Sequence, residues 1–194
     1  MAWRSIDYFM MTQALHQAKL GQNNTSPNPS VGCVLTKNDQ ILSMGHTQAA
    51  GGAHAEVMAL RAAGHAAQGA TAYVTLEPCS HFGKTPPCAD ALIAAGVTRV
   101  VAALLDPNPL VSGQGLRRLA EHGIVVEHGL MAAEALAHHQ GFFSRMMRQR
   151  PWLRCKVAAS LDGQIALEAM GNRNGLRVLQ HVPMYSESVR AHVR

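Results

Sequence analysis

Long apolar runs are missing from this sequence. No stretch approaches the ~20 apolar residues that a membrane span needs, and Met1 to Met11 lacks the basic start and unbroken apolar run of a signal peptide. Cysteine is scarce: four in 194 residues are too few to staple a secreted domain. Charge is scarce too. At 15% charged and 47% hydrophobic the chain can bury a core and is not a disordered tail. There is no internal repeat and no low-complexity tract. These absences point to a soluble cytoplasmic protein whose thiols stay reduced and free to bind metal. The length allows one domain, or one domain and the beginning of another.

A strong charge bias is also missing once the excess is divided along the chain. Lys and Arg number 17 against 12 Asp and Glu, a net +5, but residues 172–194 hold Arg173, Arg177, Arg190 and Arg194 against Glu187 alone. Residues 1–171 are therefore nearly balanced. The dense basic run Arg145, Arg148, Arg150, Arg154 and Lys156 reads as a solvated helix end, and the basic face expected of a nucleic-acid binder is lacking.

What is present is an alternation of helical and strand patterns. Ile6, Met10, Ala14 and Ala18 recur every fourth position and predict an amphipathic helix to Leu20. Val31–Thr36 and Ile41–Met44 flank a Lys37-Asn38-Asp39-Gln40 turn as a hairpin. Alanine-rich Ala53–Ala67 is helical. Ala72–Leu76 is an apolar strand, followed by a loop to Pro87. A helix over Cys88–Ala95 opens behind Pro86-Pro87 and closes at Gly96. Arg99–Leu104 and Ile124–Glu127 are strands around a Leu116–His122 helix, and Met131–Gln149 is a longer helix stopped by Pro151. This order predicts an α/β sandwich with a largely parallel sheet and one antiparallel hairpin. A boundary falls near Arg150-Pro151, and Trp152–Ala159 reads as the first strand of something else.

The residues that carry chemistry are His54, Glu56, Cys79 and Cys88. Zinc takes imidazole and thiolate ligands, and a catalytic zinc keeps three protein ligands and an open fourth position. His54, Cys79 twenty-five residues later and Cys88 nine further on supply three. A helix N-terminus at Cys88 favours its thiolate. Glu56 lies in the same first helical turn as His54 and is not needed as a ligand. A non-ligating Glu beside such a zinc is the arrangement of nucleobase deaminases, where it carries protons. A structural zinc closed by His81 as fourth ligand is the rival, and it leaves Glu56 without work. Cys33 reads as strand filler, and Cys155 has no matching partner.

These residues sit in longer motifs. Ala53-His54-Ala55-Glu56-Val57, then Thr75-Leu76-Glu77-Pro78-Cys79-Ser80-His81, then Gly83-Lys84-Thr85-Pro86-Pro87-Cys88-Ala89-Asp90, together with Pro27-Asn28-Pro29-Ser30-Val31-Gly32 and Asp106-Pro107-Asn108-Pro109, resemble the deaminase domain of the bifunctional riboflavin biosynthesis deaminase/reductase family. The resemblance runs from about residue 6 to residue 171. It implies a three-layer α/β/α cytidine-deaminase-like fold with a mixed central sheet. It also implies zinc-dependent hydrolytic deamination of a small pyrimidine ribosyl phosphate, 2,5-diamino-6-ribosylamino-4(3H)-pyrimidinone 5′-phosphate. In that scheme one Zn2+ on His54, Cys79 and Cys88 lowers the pKa of its water from ~15.7 toward neutrality, and Glu56 moves the protons. The resemblance implies Asn28, His81, Lys84, Asp106 and Asn108 as substrate contacts; turn residues beside proline are the plainer account of Asn28 and Asn108. From the charge balance and the lack of long apolar runs no nucleic-acid or membrane partner is expected, and homo-oligomerisation is left open. The eight residues between the cysteines separate the chain from nucleoside and tRNA deaminases, which generally carry Cys-x-x-Cys. Those activities, and a non-catalytic zinc-stabilised module, stand as alternatives.

In the same family, residues like Pro151 to Gly163 begin an NADPH-dependent reductase domain, with the NADP site falling at Ala158. The expected organisation is a deaminase domain over 1–150, the start of a reductase over 151–171, and an aberrant tail over 172–194. Where the family continues Gly-Glu-Ser-Gln-Trp-Ile-Thr, this chain reads Gly171-Asn172-Arg173-Asn174-Gly175-Leu176-Arg177. Codons GAA TCG CAA TGG ATT ACG, read one base later, encode that sequence from Asn172, so the tail is expected to be out of frame. Val157 and Leu161 are then expected on an unpaired strand, an association hazard. NADPH is expected to serve only the full-length family, and no reductase activity is expected here.

Overall fold

A computed structural model describes residues 3–82, 86–108 and 111–155 in full, and residues 166–173 and 176–183 by their backbone. The chain divides into two compact units, Met1–Trp152 and Leu153–Arg194. In the first, the elements run α1 (Ser5–Leu20), β1 (Gly32–Lys37), β2 (Gln40–His46), α2 (Ala55–Ala63, continued as a 3-10 turn over Gly64–Ala67), β3 (Thr71–Val74), α3 (Cys88–Ala94), β4 (Arg99–Ala102), α4 (Gln114–Glu121), β5 (Val125–His128) and α5 (Ala132–Arg148). No helix among the described residues is long and apolar enough to cross a membrane.

The strands form one sheet in the order β2-β1-β3-β4-β5. β1 is antiparallel to both neighbours, while β3, β4 and β5 are parallel. The sheet is therefore mixed, not largely parallel with a single antiparallel hairpin. β2, β3, β4 and β5 share one direction, as helix-separated strands should. The difference arises because β3 does not pair with β2: β1 lies between them and adds a second antiparallel ladder. Which strand sits beside which is decided by long-range pairing, and local periodicity carries no record of it.

Strand side chains alternate across the sheet. Cys33, Leu35, Ala72, Val74, Val100 and Ala102 join a core under α2, α3 and α4. Val34, Tyr73 and Val101 join Met10, Met11, Ala14 and Leu15 of α1 and Ala135 of α5 on the other face. This is the three-layer arrangement. α1 approaches so closely that a Cβ on Gly32 would lie 1.9 Å from the carbonyl oxygen of Ala14. α1 also buries an acid. The Asp7 carboxylate accepts hydrogen bonds from the Tyr73 hydroxyl at 2.6 Å, Arg99 Nη1 at 2.9 Å and the Arg4 amide at 2.9 Å. Burial raises its pKa, but these donors outweigh that and hold it at about 2.

In the second unit, β6 (Ala166–Arg173) and β7 (Leu176–Pro183) pair as an antiparallel ladder. The strand expected from Trp152 is not formed over its described part. Trp152 to Cys155 are exposed and irregular, and no described strand offers them a partner. Val157, Ala158 and Leu161 lie outside the described residues.

Candidate active site

The site gathers at the carboxyl ends of β3 and β4, where open α/β sheets place their ligands. β3 runs on through Thr75 to Cys79. Thr75 continues the pairing with β1: its amide donates to the Gly32 carbonyl at 3.1 Å and its hydroxyl accepts from the Gly32 amide at 3.1 Å. The Glu77 amide then donates to the Leu104 carbonyl at 2.8 Å, joining the loops that leave β3 and β4.

α2 brings in two side chains from its first turn. His54 is its N-cap residue, and Glu56 lies buried two positions on. Close packing on β2 fixes the helix, since a Cβ on Gly45 would lie 2.4 Å from the Ala55 carbonyl oxygen and 2.6 Å from the Ala59 nitrogen. α3 begins at Cys88, whose amide donates to Cys79 Sγ at 3.3 Å, and the next amide, of Ala89, donates to the Cys79 carbonyl at 3.1 Å.

His54, Cys79 and Cys88 thus converge. Nδ1 of His54 lies 3.2 Å from Cys88 Sγ and 3.6 Å from Cys79 Sγ, and the three donor atoms lie within 4.8 Å of one another. Tetrahedral zinc, at about 2.3 Å from sulfur and 2.0–2.1 Å from nitrogen, separates a nitrogen ligand from a sulfur ligand by about 3.6 Å. The cluster fits that ion. Its protonation fits too: the hydrogen bond from Cys88, and then that from His54, draw the Cys79 thiol down to about 4. The bond Cys88 donates to Cys79, together with burial, pushes its own thiol up. His54 is raised first by its bond with Cys79. Two sulfurs and an imidazole competing for protons form a donor set that a soft divalent cation satisfies. Burial pushes Glu56 up to about 7, with the nearby Cys79 adding to the shift.

His81 is exposed and stands outside the donor cluster, so among the described residues nothing closes the tetrahedron. The closed structural site with His81 as fourth ligand is not formed. Cys33 is fully buried in β1, and Cys155 is exposed.

A cleft of about 390 Å³ opens over the cluster, lined by His54, Glu56 and Cys79 together with Asn28, His81, Asp106 and Asn108. Of the residues singled out as substrate contacts, these four meet in one cavity, while Lys84 lies outside the described residues. Asp106 Oδ1 accepts the Asn108 amide at 2.8 Å, an Asx-type turn that holds both residues in place. Burial raises the Asp106 carboxyl.

The cleft also contains residues that sequence reasoning missed. Phe142 and Met146, one turn apart on α5, form part of the wall. α5 grips the opposite lip through His138 Nε2, 3.0 Å from the Ser30 carbonyl, and through Arg145, which donates to the Pro27 carbonyl. Glu77, quoted within a motif but given no task, lines the cleft as a buried carboxylate. The i,i+4 spacing of two apolar residues was the available signal on α5, and it fits core packing equally well.

Residues 4–104 match the cytidine and deoxycytidylate deaminase zinc-binding region. A diaminohydroxyphosphoribosylamino-pyrimidine deaminase of Buchnera aphidicola (subsp. Acyrthosiphon pisum) is 54% identical over 140 residues, which is 72% of this chain and 95% of that protein. The chain belongs to the RibD deaminase family. The riboflavin biosynthesis protein RibD of Escherichia coli K12 is 56% identical over 161 residues, which cover 83% of this chain and 44% of that protein. Against this longer RibD, then, the matching region spans less than half the relative's length. The structure of Acinetobacter baumannii RibD superposes with a TM-score of 0.83 at 47% identity, over 97% of this chain and 50% of that one. The mixed sheet and its flanking helices are thus the fold of RibD and of cytidine-deaminase-like proteins.

Proposed function

We propose that the chain hydrolytically deaminates 2,5-diamino-6-ribosylamino-4(3H)-pyrimidinone 5′-phosphate, releasing ammonia and 5-amino-6-ribosylamino-2,4(1H,3H)-pyrimidinedione 5′-phosphate. The observation that carries the reading is one imidazole and two sulfurs at zinc-ligand spacing, beside a buried, non-ligating Glu56, at the floor of a cleft. RibD family membership supports the substrate. One zinc ion per chain, held by His54, Cys79 and Cys88, would supply a Lewis acid that makes water acidic enough to react near neutral pH.

The chain's own residues do the rest. Glu56 accepts one proton from the attacking water and passes it to the ring nitrogen, then takes the second from the new hydroxyl and passes it to the departing amine, so that water and the amine exchange at the ring carbon with no net proton consumed. Its place in the same helical turn as His54 keeps this carboxylate beside the metal centre. Asn28, His81, Asp106 and Asn108 present donors and acceptors to the ring and the ribosyl phosphate, and family resemblance adds Lys84 as a further substrate contact. The balanced charge of residues 1–171 supports a small-molecule substrate over nucleic acid. A pair of thiolate ligands suits the reducing cytoplasm. NADPH-dependent reduction, with Ala158 at its site, forms no part of the reading, and sequencing the gene across codon 172 tests the out-of-frame tail.

An ammonia-release assay on the pyrimidine phosphate decides the function. Glu56→Gln is expected to lower kcat by about 10²–10⁴-fold while zinc content stays at that of the parent. Ammonia from a nucleoside or tRNA alone would move the chain to that alternative, and none from any substrate would leave a zinc-stabilised module.

A further inference from the structure

We propose that Glu77 is a positioning residue that locks the Asp106–Asn108 lip of the cleft to the loop carrying Cys79, so that its loss weakens substrate binding without releasing the metal. Its carboxylate is buried at the start of the loop leaving β3, two residues before Cys79. Oε2 accepts the Asp106 amide at 3.0 Å and the Gly113 amide at 2.9 Å. Oε1 accepts the Gly115 amide at 2.8 Å and the Leu116 amide at 3.3 Å. One side chain therefore gathers backbone donors 29 to 39 residues downstream.

The donors belong to two structures. Asp106 opens the turn that orients Asn108, whereas Gly113, Gly115 and Leu116 form the N-terminus of α4, whose own cap residue makes no side-chain bond. Glu77 thus caps α4 from a distant segment, at the end of the helix that favours an anion. The loops also meet by contact: a Cβ on Gly115 would lie 1.9 Å from the Pro78 carbonyl oxygen, next to Cys79. A buried acid with both oxygens occupied by backbone donors transmits position, because any shift of the metal loop drags the Asp106 amide with it. A hydrogen-bonding group displaced by about 1 Å leaves the distance range in which such bonds form, so it weakens binding of the substrate it holds.

The kinetic arm rests on the proposed deamination; the structural arms do not. In zinc-loaded protein, Glu77→Gln keeps the shape but turns an amide NH2 toward backbone N–H donors. It is expected to raise KM roughly tenfold or more while kcat changes by less than about threefold, with zinc per chain equal to the parent. Hydrogen exchange should quicken at Asp106, Gly113, Gly115 and Leu116 and stay unchanged across α2. Leu119→Ala truncates the buried face of α4 away from Glu77 and serves as the control for stability alone. An unchanged KM, a KM shift reproduced by Leu119→Ala, or loss of zinc from Glu77→Gln would each overturn the proposal. If Glu77→Gln fails to fold, Glu77→Asp, which keeps the charge but draws it back by one methylene, is held to the same criteria. A parent protein that releases no ammonia refutes the proposed function, and exchange and zinc content then decide the role of Glu77.

Discussion

Acid should weaken this fold through His139. The residue sits on α5, 3% exposed, with Nε2 3.3 Å from the Thr75 hydroxyl and the His138 ring edge-on at 4.8 Å. Burial first, and His138 second, lower its pKa from 6.5 to about 3. An unfolded chain therefore binds a proton between these values that the folded chain refuses. Stability is then constant above about pH 6.5 and falls as the pH drops toward 3. At pH 4.5 the unfolded state is favoured by roughly a hundredfold relative to neutral pH, or about 3 kcal/mol from this one ring. That is a large share of a domain's net stability of about 5–15 kcal/mol. His138, half-buried and lowered chiefly by burial, acts in the same direction. Urea unfolding of the zinc-loaded parent and of His139→Gln at pH 7.5 and pH 4.5 isolates the ring, since zinc release and His138 contribute to both proteins. His139→Gln should start less stable and lose about 3 kcal/mol less between the two pH values. Equal losses in the two proteins would show that His139 is not held neutral in the fold.

Other perturbations test the packing and the metal. Gly115→Ala must part α4 from Pro78 by about 1.5 Å to reach ordinary contact, which breaks charged hydrogen bonds to Glu77 worth about 1.5–3 kcal/mol each; a thermal midpoint within 2 °C of the parent would refute it. Arg99→Met strips the buried Asp7 carboxylate of its nearer cation, at 2.9 Å, and leaves only the exposed Arg4 at 3.6 Å, which should cost up to about 3–5 kcal/mol. A double mutant with Asp7→Asn should recover part of that loss, and strict additivity of the two changes would contradict the coupling. Dialysis against a chelator should abolish ammonia release and lower the thermal midpoint, with about one equivalent of zinc restoring both; activity that survives complete zinc removal would contradict the proposed metal chemistry.

Local features of the fold were readable because they are local in cause. Met10, Ala14 and Ala18 face the core at helical spacing, and the turn over Asn38 and Asp39 takes positive φ at both residues, the conformation a tight hairpin needs. Asp7 was not readable. It shares the buried face of α1, and the nearer of its two cations, Arg99, is 92 residues away. The place of β1 between β2 and β3 was hidden for the same reason. At the site, the unequal spacing of His54, Cys79 and Cys88 signalled chemistry because zinc demands those atoms. Glu77 and Phe142 gave no such signal: an acid bonded to amides far downstream and an apolar helix residue look like ordinary surface and ordinary core.

This contrast separates the two halves of the site. His54 and Glu56 belong to one helical turn, so the spacing of ligand and proton carrier is set by helix geometry and survives any change that leaves α2 seated on β2. Cys79 and Cys88 are tied by the amide-to-sulfur bond that opens α3. The metal half is therefore rigid by local means. Asn28, Asp106 and Asn108 are placed by tertiary contacts instead: the first on a lip gripped by α5, the others on a turn tied to Glu77. Substitutions of these three residues should raise KM and leave zinc content alone, whereas substitutions of His54, Cys79 or Cys88 should remove zinc and ammonia release together. A single asparagine or aspartate variant of the lips that loses its zinc would show that the two halves are one mechanical unit.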